Sequence, residues 1–271
     1  MSLASVVALG TSAKNIVLVG DQMQLSQPVK GAHPGGSGAS GLDHLMNGAA
    51  TVPPHRGILL SRTWRMHPDL CAFISNAYYD GRLEPDTSTA QQKLLLQSDA
   101  QGALGESGLR FVEVDHTDRS QCSVEEVARV KELYDTLLGQ EWIDRHGKAS
   151  KIGPADILVV TPYNMQVRAL TDALPLGARV GTVDKFQGQE AAAVLVSMAS
   201  SDVEHAPRGM TFLFSRNRTN VAISRGRCLA SVVASPALLA AACSTVEQLR
   251  LANGLCFVRA YARQHTAIVR R

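Results

Sequence analysis

The stretch DILVVTPYNMQVRALTDAL, residues 156–174, decides the fold class of this chain. It begins with a continuous apolar run, passes through a Thr-Pro-Tyr turn, and continues with apolar residues at three- and four-residue spacing. A continuous apolar run is typical of a strand that is buried on both faces, and the second spacing is typical of an amphipathic helix. The stretch therefore predicts a buried strand that is followed directly by a helix.

The same alternation of strand and helix continues along the chain. Further strands are predicted at NIVLVGD, LRFVEV, AVLVSMAS and CLASVVAS, which are residues 15–21, 109–114, 193–200 and 228–235. Helices are predicted at PDLCAFISNAYYD and at SVEEVARVKELYDTLL, where Ser123 is the expected N-cap and Glu126 the expected N3 residue. Buried strands separated by helices predict an α/β fold with a parallel sheet that helices cover on both faces.

Composition sets limits on the class of protein. The chain has 271 residues, of which 45% are hydrophobic and 19% charged, and this is typical of one large or two modest globular domains. Its formal net charge of +3 is too small to indicate a nucleic-acid-binding protein by itself. The five cysteines form no C-x-x-C pair, so neither a metal cluster nor a disulfide framework is predicted. No apolar run reaches the ~20 residues that cross a bilayer. We expect a cytoplasmic protein with no membrane partner.

Loops are predicted at residues 27–41, 85–108 and 202–212, with one helical turn at KLLLQ, residues 93–97. The first loop contains GSGASG, residues 36–41, which fits the G-x-G-x-x-G pattern. That pattern indicates dinucleotide binding only when it directly follows a strand and opens a helix. Because KGAHP lies between the nearest predicted strand and the glycines, we interpret the segment as a connector.

Four arginines crowd the stretch FSRNRTNVAISRGRCLASVV, residues 214–233. Taken alone, such a run is most often a solvated basic helix. A second interpretation comes from the polar stretches that follow other apolar runs: GDQMQ after NIVLV, TWRMHP near GILLS, TPY after ILVV, and DKFQGQE after ARVGTV. Ligands of open parallel sheets bind at the carboxyl ends of the strands, so these stretches predict a ligand site along one edge of the sheet.

In this order the stretches resemble the motifs of superfamily 1 helicases. GDQMQL, TWRMHP, TPYNMQ, TVDKFQGQE and RTNVAISRGR are similar to motif III, motif IV, a strand-end element, motif V and motif VI of the branch typified by the nonsense-mediated-decay RNA helicase. The resemblance covers residues 15–235, and the segment GLCFV resembles bacterial proteins that join such a helicase to a RecB-like nuclease. It implies a RecA-like fold of the P-loop NTPase type. It also implies an ATP-driven helicase that moves 5′ to 3′ on single-stranded nucleic acid, with DNA favoured over RNA.

The resemblance assigns catalytic roles to three residues. Arg225 matches the motif VI arginine finger, Arg65 matches the motif IV arginine that contacts the γ-phosphate, and Gln24 matches the motif III glutamine that senses this phosphate. An arginine finger neutralises charge that spreads over the transferred phosphoryl group, and its contribution is about 10³ to 10⁵ in rate. Arg218 is expected on the same helical face as Arg225, where it would orient the finger or reach a phosphate. Arg227, like Arg216, is interpreted as structural or solvated.

Further roles concern the nucleoside and the nucleic acid. Trp64 stands where relatives carry tyrosine and would stack on adenine, with a core aromatic as an equally weighted alternative. Glu190 resembles the motif V acid that binds the ribose hydroxyl, and Gly188 would allow close approach of the backbone. Thr161 and Thr182 would donate to nucleic-acid phosphates, although a cap or strand-end role is an open alternative for each.

The sequence departs from a complete motor in one respect. A Walker A stretch, G-x-x-x-x-G-K-[ST], and an acidic Walker B pair do not occur in it. By resemblance, residues 1–27 are expected to be the last helix and strand of the first RecA-like lobe, residues 28–60 a connector, and residues 61–271 the second lobe. The expected cofactor is ATP with Mg²⁺, with the Mg²⁺ ligands in the missing first lobe. We expect the chain alone to hydrolyse ATP negligibly.

Two other functions are weighed against this one. A RecB-like nuclease needs a carboxylate cluster that includes a (D/E)-x-K tripeptide, and none occurs, so a nuclease partner is expected only elsewhere in a full-length protein. The alternative of another class is a degenerate RecA-like module that binds nucleic acid or protein without a catalytic cycle. The set of Gln24, Arg65, Glu190 and Arg225 favours the motor, because a binding module has no use for a γ-phosphate finger.

Overall fold

The computed structural model describes residues 1–25, 33–97, 104–204 and 206–269 of the chain. Its strands, in chain order, are β1 Arg62–Thr63, β2 Glu84–Pro85, β3 Lys93–Leu95, β4 Gly108–Glu113, β5 Glu141–Ile143, β6 Ala149–Lys151, β7 Ile157–Val160, β8 Arg179–Gly181, β9 Ala191–Ser197 and β10 Gly226–Ala234. Its helices are α1 Leu3–Gly10, α2 Gly41–Met46, α3 Pro68–Tyr78, α4 Val124–Leu137, α5 Asn164–Ala173, α6 Gly209–Leu213, α7 Arg216–Ile223 and α8 Val246–Val269.

A five-stranded sheet in the order β4-β10-β9-β7-β8 is the centre of the fold, and each of its neighbouring strands pairs in parallel. All residues of β7 and β9 are buried, as the continuous apolar runs predict. The stretch that begins at Asp156 forms β7 followed by α5, so the predicted strand and helix are confirmed. The α/β prediction is confirmed by this parallel sheet and its flanking helices.

Helices cover both faces of the sheet because alternate residues of each strand point to opposite sides. In β9, Val194 and Val196 belong to one core cluster, together with residues of α3, α6, α7 and α8. Ala193 and Leu195 belong to the other cluster, together with residues of α4 and α5. Burying each large aliphatic side chain stabilises the fold by about 1.5–3 kcal/mol. The two clusters therefore hold the sheet between two helical layers.

The segment KLLLQ differs from its prediction, because it forms strand β3 and not a helical turn. β3 pairs with β5, and β5 pairs with β6, in a small antiparallel sheet beside the main one. Leu94 is fully buried and lies opposite Trp142 in the ladder. A run of three leucines suits either structure, and the partner strand decided between them. Residues 98–103 of the predicted loop at 85–108 lie outside the described residues.

The apolar stretch NIVLVGD was predicted to be a strand, and this prediction is wrong for the structure. Residues 15–21 form no strand, and Val17 and Val19 are 85% and 90% exposed. A strand requires a neighbour that completes its hydrogen bonds and covers its side chains, and the described part of the chain provides none here. GILLS, residues 57–61, is likewise not a strand. The apolar stretch FLF, residues 212–214, which precedes the arginine-rich segment, lies at the end of α6 and just beyond it.

The connector at residues 28–60 is described only from residue 33, because residues 26–32 of the Gly/Pro-rich stretch lie outside the described residues. Its described part contains α2, which begins after Ser40 with a reciprocal capping box between Ser40 and Asp43. Gly35 and Gly36 have φ values of +62° and +75°, a conformation that favours glycine and fits a turn. The division of the chain into a first-lobe segment, a connector and a second lobe, with boundaries at residues 27 and 60, stays a prediction.

A buried polar network lies beyond the carboxyl ends of β4 and β9. Oε1 of Glu126 lies 2.9 Å from Nε2 of His116, and the other ring nitrogen, Nδ1, lies 2.7 Å from Oγ of Ser201. Oε2 of Glu126 accepts hydrogen bonds from Oγ of Ser197 at 2.6 Å and from the backbone N–H of Ala199 at 2.9 Å. The side chains of His116 and Glu126 are both fully buried. The network joins the end of β9 to helix α4 and to the segment after β4.

Helix α4 begins as the sequence predicts, since Oγ of Ser123 accepts the backbone N–H of Glu126 at 3.1 Å. The side chain of Glu126 does not return to the N-cap, because it is bound within the buried network. Gln166 of α5 occupies that position: its Oε1 accepts the backbone N–H of Ser123 at 2.9 Å, and its Nε2 donates to Oγ of Ser197 at 2.9 Å. The cap of one helix is thus tied to the next helix and to the central strand.

Candidate nucleotide site

Glu190 lies between two arginines at the entrance to β9. Nε of Arg65, which follows β1, donates to Oε2 of Glu190 at 2.7 Å. Nη2 and Nε of Arg227, on β10, donate to Oε1 at 2.5 and 3.1 Å. Burial raises the pKa of Glu190, but the hydrogen bonds from the two arginines outweigh burial and hold the pKa below its ordinary value. The carboxylate is therefore ionised. The chain segments that follow β1 and that lead into β9 and β10 meet at this carboxylate.

Arg225 is a buried cation next to this cluster. Arg225 is only 3% exposed, and its guanidinium donates to the backbone oxygens of Val221 and Gln189, each at 3.3 Å. Burial lowers its pKa first, and the nearby charge of Arg65 adds to that effect. No carboxylate among the described residues lies within the 4.0 Å that defines an ion pair with Arg225. The charge of Glu190 opposes the effects of burial and Arg65 on the pKa of Arg225, but Glu190 is already bound by Arg65 and Arg227, so the buried guanidinium of Arg225 is suited to receive an anion.

Arg218 does not lie on a helical face shared with Arg225, and this prediction is wrong. Helix α7 ends at Ile223 and is capped at Ser224, so Arg225 already belongs to the turn into β10. Nη1 of Arg218 donates to Oδ2 of Asp184 at 2.8 Å, and its guanidinium lies 4.6 Å from the ring centroid of Phe212. The helical spacing that related the two arginines in sequence requires a helix that continues through both.

An open cavity of about 490 Å³ adjoins the Glu190 cluster. Trp64 is on its lining and is 54% exposed, so the alternative of a core aromatic is wrong. Its other lining residues are Arg62, Thr63, Arg65, Gln92, Asp144, Arg145, His146, Glu190 and Arg227. Pockets of roughly 300–1,000 Å³ are the size that small ligands and cofactors occupy. An exposed indole beside a paired carboxylate and several guanidinium groups is suited to a nucleoside that carries phosphates.

Gln24 lies in a loop that is tied to helix α7. Its own Nε2 donates to Oδ2 of Asp21 at 2.8 Å, and its backbone oxygen accepts from Nδ2 of Asn217 at 2.6 Å. Nδ2 of Asn220 donates to the hydroxyl of Tyr79 at 3.0 Å, and this hydroxyl donates to Oδ2 of Asp21 at 2.6 Å. The loop that follows the first apolar run is thus joined through side chains to the helix just before Arg225.

The remaining predicted residues have different surroundings. Thr161 is fully buried and its Oγ1 has no hydrogen-bond partner among the residues that the structure describes, so it cannot reach a nucleic-acid phosphate in this conformation, and that prediction is corrected. Thr182 is partly exposed and precedes the short helical turn Val183–Phe186. Gly188 has φ +79°, which a residue with a side chain rarely adopts, so the turn before Glu190 requires glycine.

Several residues of this region were missed or misjudged from the sequence. Arg227 was interpreted as structural or solvated, yet it binds Glu190 and lines the cavity. Its signal was available, because it lies two residues after Arg225 at the start of a predicted strand. Asn217, Asn220 and Tyr79 had no comparable signal, since their partners are distant along the chain.

Metal and membrane features add little. Among residues 1–25, 33–97, 104–204 and 206–269, no three His, Cys, Asp or Glu side chains form a group that could hold a metal ion. The same part of the chain contains no helix with both the length and the apolar character needed to span a membrane.

Residues 39–237 match a family described as an AAA domain. The 3'-5' exoribonuclease HELZ2 of Mus musculus is 26% identical over 262 residues, which are 88% of this chain and 8% of that protein. The Regulator of nonsense transcripts 1 homolog of Neurospora crassa is 28% identical over 251 residues, 86% of this chain and 21% of the relative.

A third similar protein is the DNA polymerase alpha-associated DNA helicase A of Schizosaccharomyces pombe. It is 28% identical over 226 residues, which are 78% of this chain and 32% of the helicase. The chain therefore spans between 8% and 32% of the length of these curated relatives.

Proposed function

This chain belongs to the AAA domain family, and we propose that it acts as the second RecA-like lobe of an ATP-dependent superfamily 1 helicase. In this proposal a first lobe, on another stretch of polypeptide, supplies the Walker A and Walker B residues and the Mg²⁺ ligands. The substrate is single-stranded nucleic acid, DNA rather than RNA, and movement is 5′ to 3′. The similarity to a DNA helicase and to a regulator of nonsense transcripts supports the helicase part of the proposal.

The observation that carries the proposal is the buried guanidinium of Arg225, which forms no ion pair with any described residue and lies beside the Arg65–Glu190 pair. A buried cation without a carboxylate is costly for stability, and a γ-phosphate would supply the missing negative charge. As charge develops on the transferred phosphoryl group, a guanidinium that is already desolvated and positioned stabilises that charge strongly. The site thus fits a triphosphate, and a binding module would gain nothing from keeping such a residue buried.

Glu190 and Arg65 have a specific role in this scheme. Both carboxylate oxygens of Glu190 are occupied by arginines in the structure. A ribose hydroxyl can bind Glu190 if it replaces the Arg65 hydrogen bond, and the released guanidinium of Arg65 can then bind a phosphate. Nucleotide binding would thereby convert an internal ion pair into two contacts with the ligand. Trp64 is exposed at the same cavity and would stack on the base.

Gln24 connects this site with the proposed first lobe. Its loop is held to α7 by Asn217 and Asn220, and Arg225 follows directly after that helix. A movement of the loop when Gln24 senses the γ-phosphate would therefore be transmitted to the arginine finger. Mg²⁺, when bound, would neutralise phosphate charge on the side of the first lobe. A RecB-like nuclease partner and a cytoplasmic location remain predictions.

The experiment compares two arginines of α7 and its C-terminal turn in a protein that contains both lobes. Arg225→Ala should lower the ATP hydrolysis rate by about 10²-fold or more while binding of single-stranded DNA is largely kept. Arg216→Ala is the matched control, because Arg216 donates to the backbone oxygen of Ala77 and does not line the cavity beside Glu190. It should stay within about twofold of the wild type, since it contributes no charge to the transferred phosphate. Equal hydrolysis rates for the two variants would contradict the role of Arg225 as the arginine finger.

A second measurement uses this chain alone. Phosphate release with and without single-stranded DNA should be negligible, because the sequence contains no Walker A stretch. A turnover above ~1 s⁻¹, which is ordinary for an intact enzyme, would contradict the two-lobe proposal.

A further inference from the structure

The cavity beside Glu190 has a second wall that the sequence motifs do not include. It is the turn between β5 and β6, residues 144–148, called the hairpin turn below. Asp144, Arg145 and His146 line the same cavity as Trp64. We propose that the hairpin turn is a base-binding wall, so that the base of a nucleoside triphosphate contacts both the Trp64 indole and the Arg145 guanidinium. This inference rests on the proposed nucleotide site and identifies a residue that would recognise the base.

Two consecutive glutamines join the hairpin turn to the segment that carries Trp64. Nε2 of Gln91 donates to the backbone oxygen of Arg145 at 2.5 Å. Nε2 of Gln92 donates to the backbone oxygen of Arg65 at 2.8 Å. In addition, Nη1 of Arg145 lies 3.4 Å from the backbone oxygen of Trp64. The hairpin turn is therefore bound to the Trp64 segment through neighbouring residues of one short stretch.

The strands below the hairpin turn are anchored in the core. Trp142 of β5 is 5% exposed and lies opposite the fully buried Leu94 of β3. The guanidinium of Arg227 lies 5.6 Å from the ring centroid of Trp142 and also binds Glu190. The second wall is thus continuous with the carboxylate that would bind the ribose. A base and a ribose of one ligand can contact the two features together.

The neighbouring carboxylate of Asp144 does not neutralise the charge of Arg145. Oδ1 of Asp144 accepts the backbone N–H groups of His146 and Lys148, at 2.8 and 3.0 Å. The hydrogen bond from Lys148 is the main cause that lowers the pKa of Asp144. The carboxylate therefore shapes the turn and does not pair with Arg145. No carboxylate of the described residues forms an ion pair with Arg145, whose Nε donates to Nε2 of His146 at 3.2 Å. Hydrogen bonds in the plane of a guanidinium leave its face able to stack on an aromatic base.

The test separates contact with the base from attraction to phosphate. Calorimetry would measure binding of ATP and of inorganic tripolyphosphate to a protein that contains both lobes, to its Arg145→Ala variant and to its Lys148→Ala variant. Lys148 is exposed, carries the same charge in the same turn and does not line the cavity, so it is the matched control. Arg145→Ala should weaken ATP binding by about 3- to 30-fold and change tripolyphosphate binding less than about twofold, since a cation–π contact requires the base. Lys148→Ala should change neither ligand by more than about twofold.

Three results would overturn the inference. They are equal ATP affinity for the two variants, an equal loss of ATP and tripolyphosphate affinity in Arg145→Ala, and no measurable ATP binding by the wild type. Arg65→Ala separates this failure from that of the proposed function, because it should weaken both ligands. If Arg65→Ala weakens both and Arg145→Ala weakens neither, only the base-binding wall is wrong. If the wild type binds neither ligand, the nucleotide site itself is wrong.

Discussion

Replacing Glu126 with alanine should strongly destabilise the fold. The substitution removes the acceptor of three buried donors: Nε2 of His116, Oγ of Ser197 and the backbone N–H of Ala199. Removing one member of a buried, hydrogen-bonded pair costs about 3–5 kcal/mol of the free energy of unfolding. For a domain of this size that corresponds to a decrease in Tm of roughly 6–20 °C.

The matched control is Glu132→Ala, the same substitution on the same helix. Glu132 forms an i,i+3 pair with Arg129, and its side chain is 64% exposed. The change in helix propensity is common to the two variants, so their difference isolates the buried network. Glu132→Ala should stay within about 0.5 kcal/mol of the wild type. Glu126→Gln should be intermediate, because its amide keeps the volume but places an N–H group against another donor.

Urea denaturation followed by tryptophan fluorescence, together with thermal unfolding by circular dichroism, would measure the three variants. Trp142 is buried in the core cluster that also contains residues of α4, so its emission reports loss of that packing. Agreement of Glu126→Ala and Glu132→Ala within about 1 kcal/mol would refute the reasoning, since it would mean that water or a rearrangement satisfies the three donors at little cost.

Three further predictions concern the site and the N-terminal segment. Tyr79→Phe removes the hydroxyl that joins Asp21 to Asn220, so amides of the segment that begins at Asp21 should exchange with solvent about 10-fold faster, while those of β7 stay unchanged. Because the folded state holds the pKa of Glu190 below its ordinary value, the resulting stability is present at neutral pH and is lost as pH falls through that lowered pKa. The difference in unfolding free energy between the wild type and Glu190→Gln should therefore decrease as the pH falls through that lowered pKa. Amides of residues 15–20 should exchange much faster than those of β7, because they form no strand; equal protection would contradict the exposed arrangement.

The sequence predicted much of the sheet because its strands are buried on both faces. β7, β9 and β10 read as continuous apolar runs, and such runs remain strands wherever both faces are covered. The N-terminal stretch NIVLVGD also contains a continuous apolar run, yet it forms no strand. Composition records a preference, and pairing with a neighbour decides whether that preference is realised. KLLLQ illustrates the converse, since β5 made it a strand.

The resemblance to helicase motifs selected Arg65, Glu190 and Arg225, and the structure brings these three residues near one another, while their roles stay predictions. Local pattern was insufficient for Arg218, whose relation to Arg225 depended on a helix that ends at Ile223. It was insufficient for Thr161 as well, because burial is a property of the surrounding elements and not of the strand end itself.

The sequence by itself determined the α/β class and the order of the central elements, but it predicted the ligand site at the carboxyl ends of the strands, whereas Glu190, Arg225 and Arg227 lie where β9 and β10 begin. Only the tertiary structure decided which of these groups are partners. Arg227 binds Glu190, Asp184 binds Arg218, and the hairpin turn borders the cavity of Trp64. The physical reason is range: helix and strand patterns arise from neighbours a few residues apart, whereas ion pairs and cavities join residues that the fold brings together from distant parts of the chain.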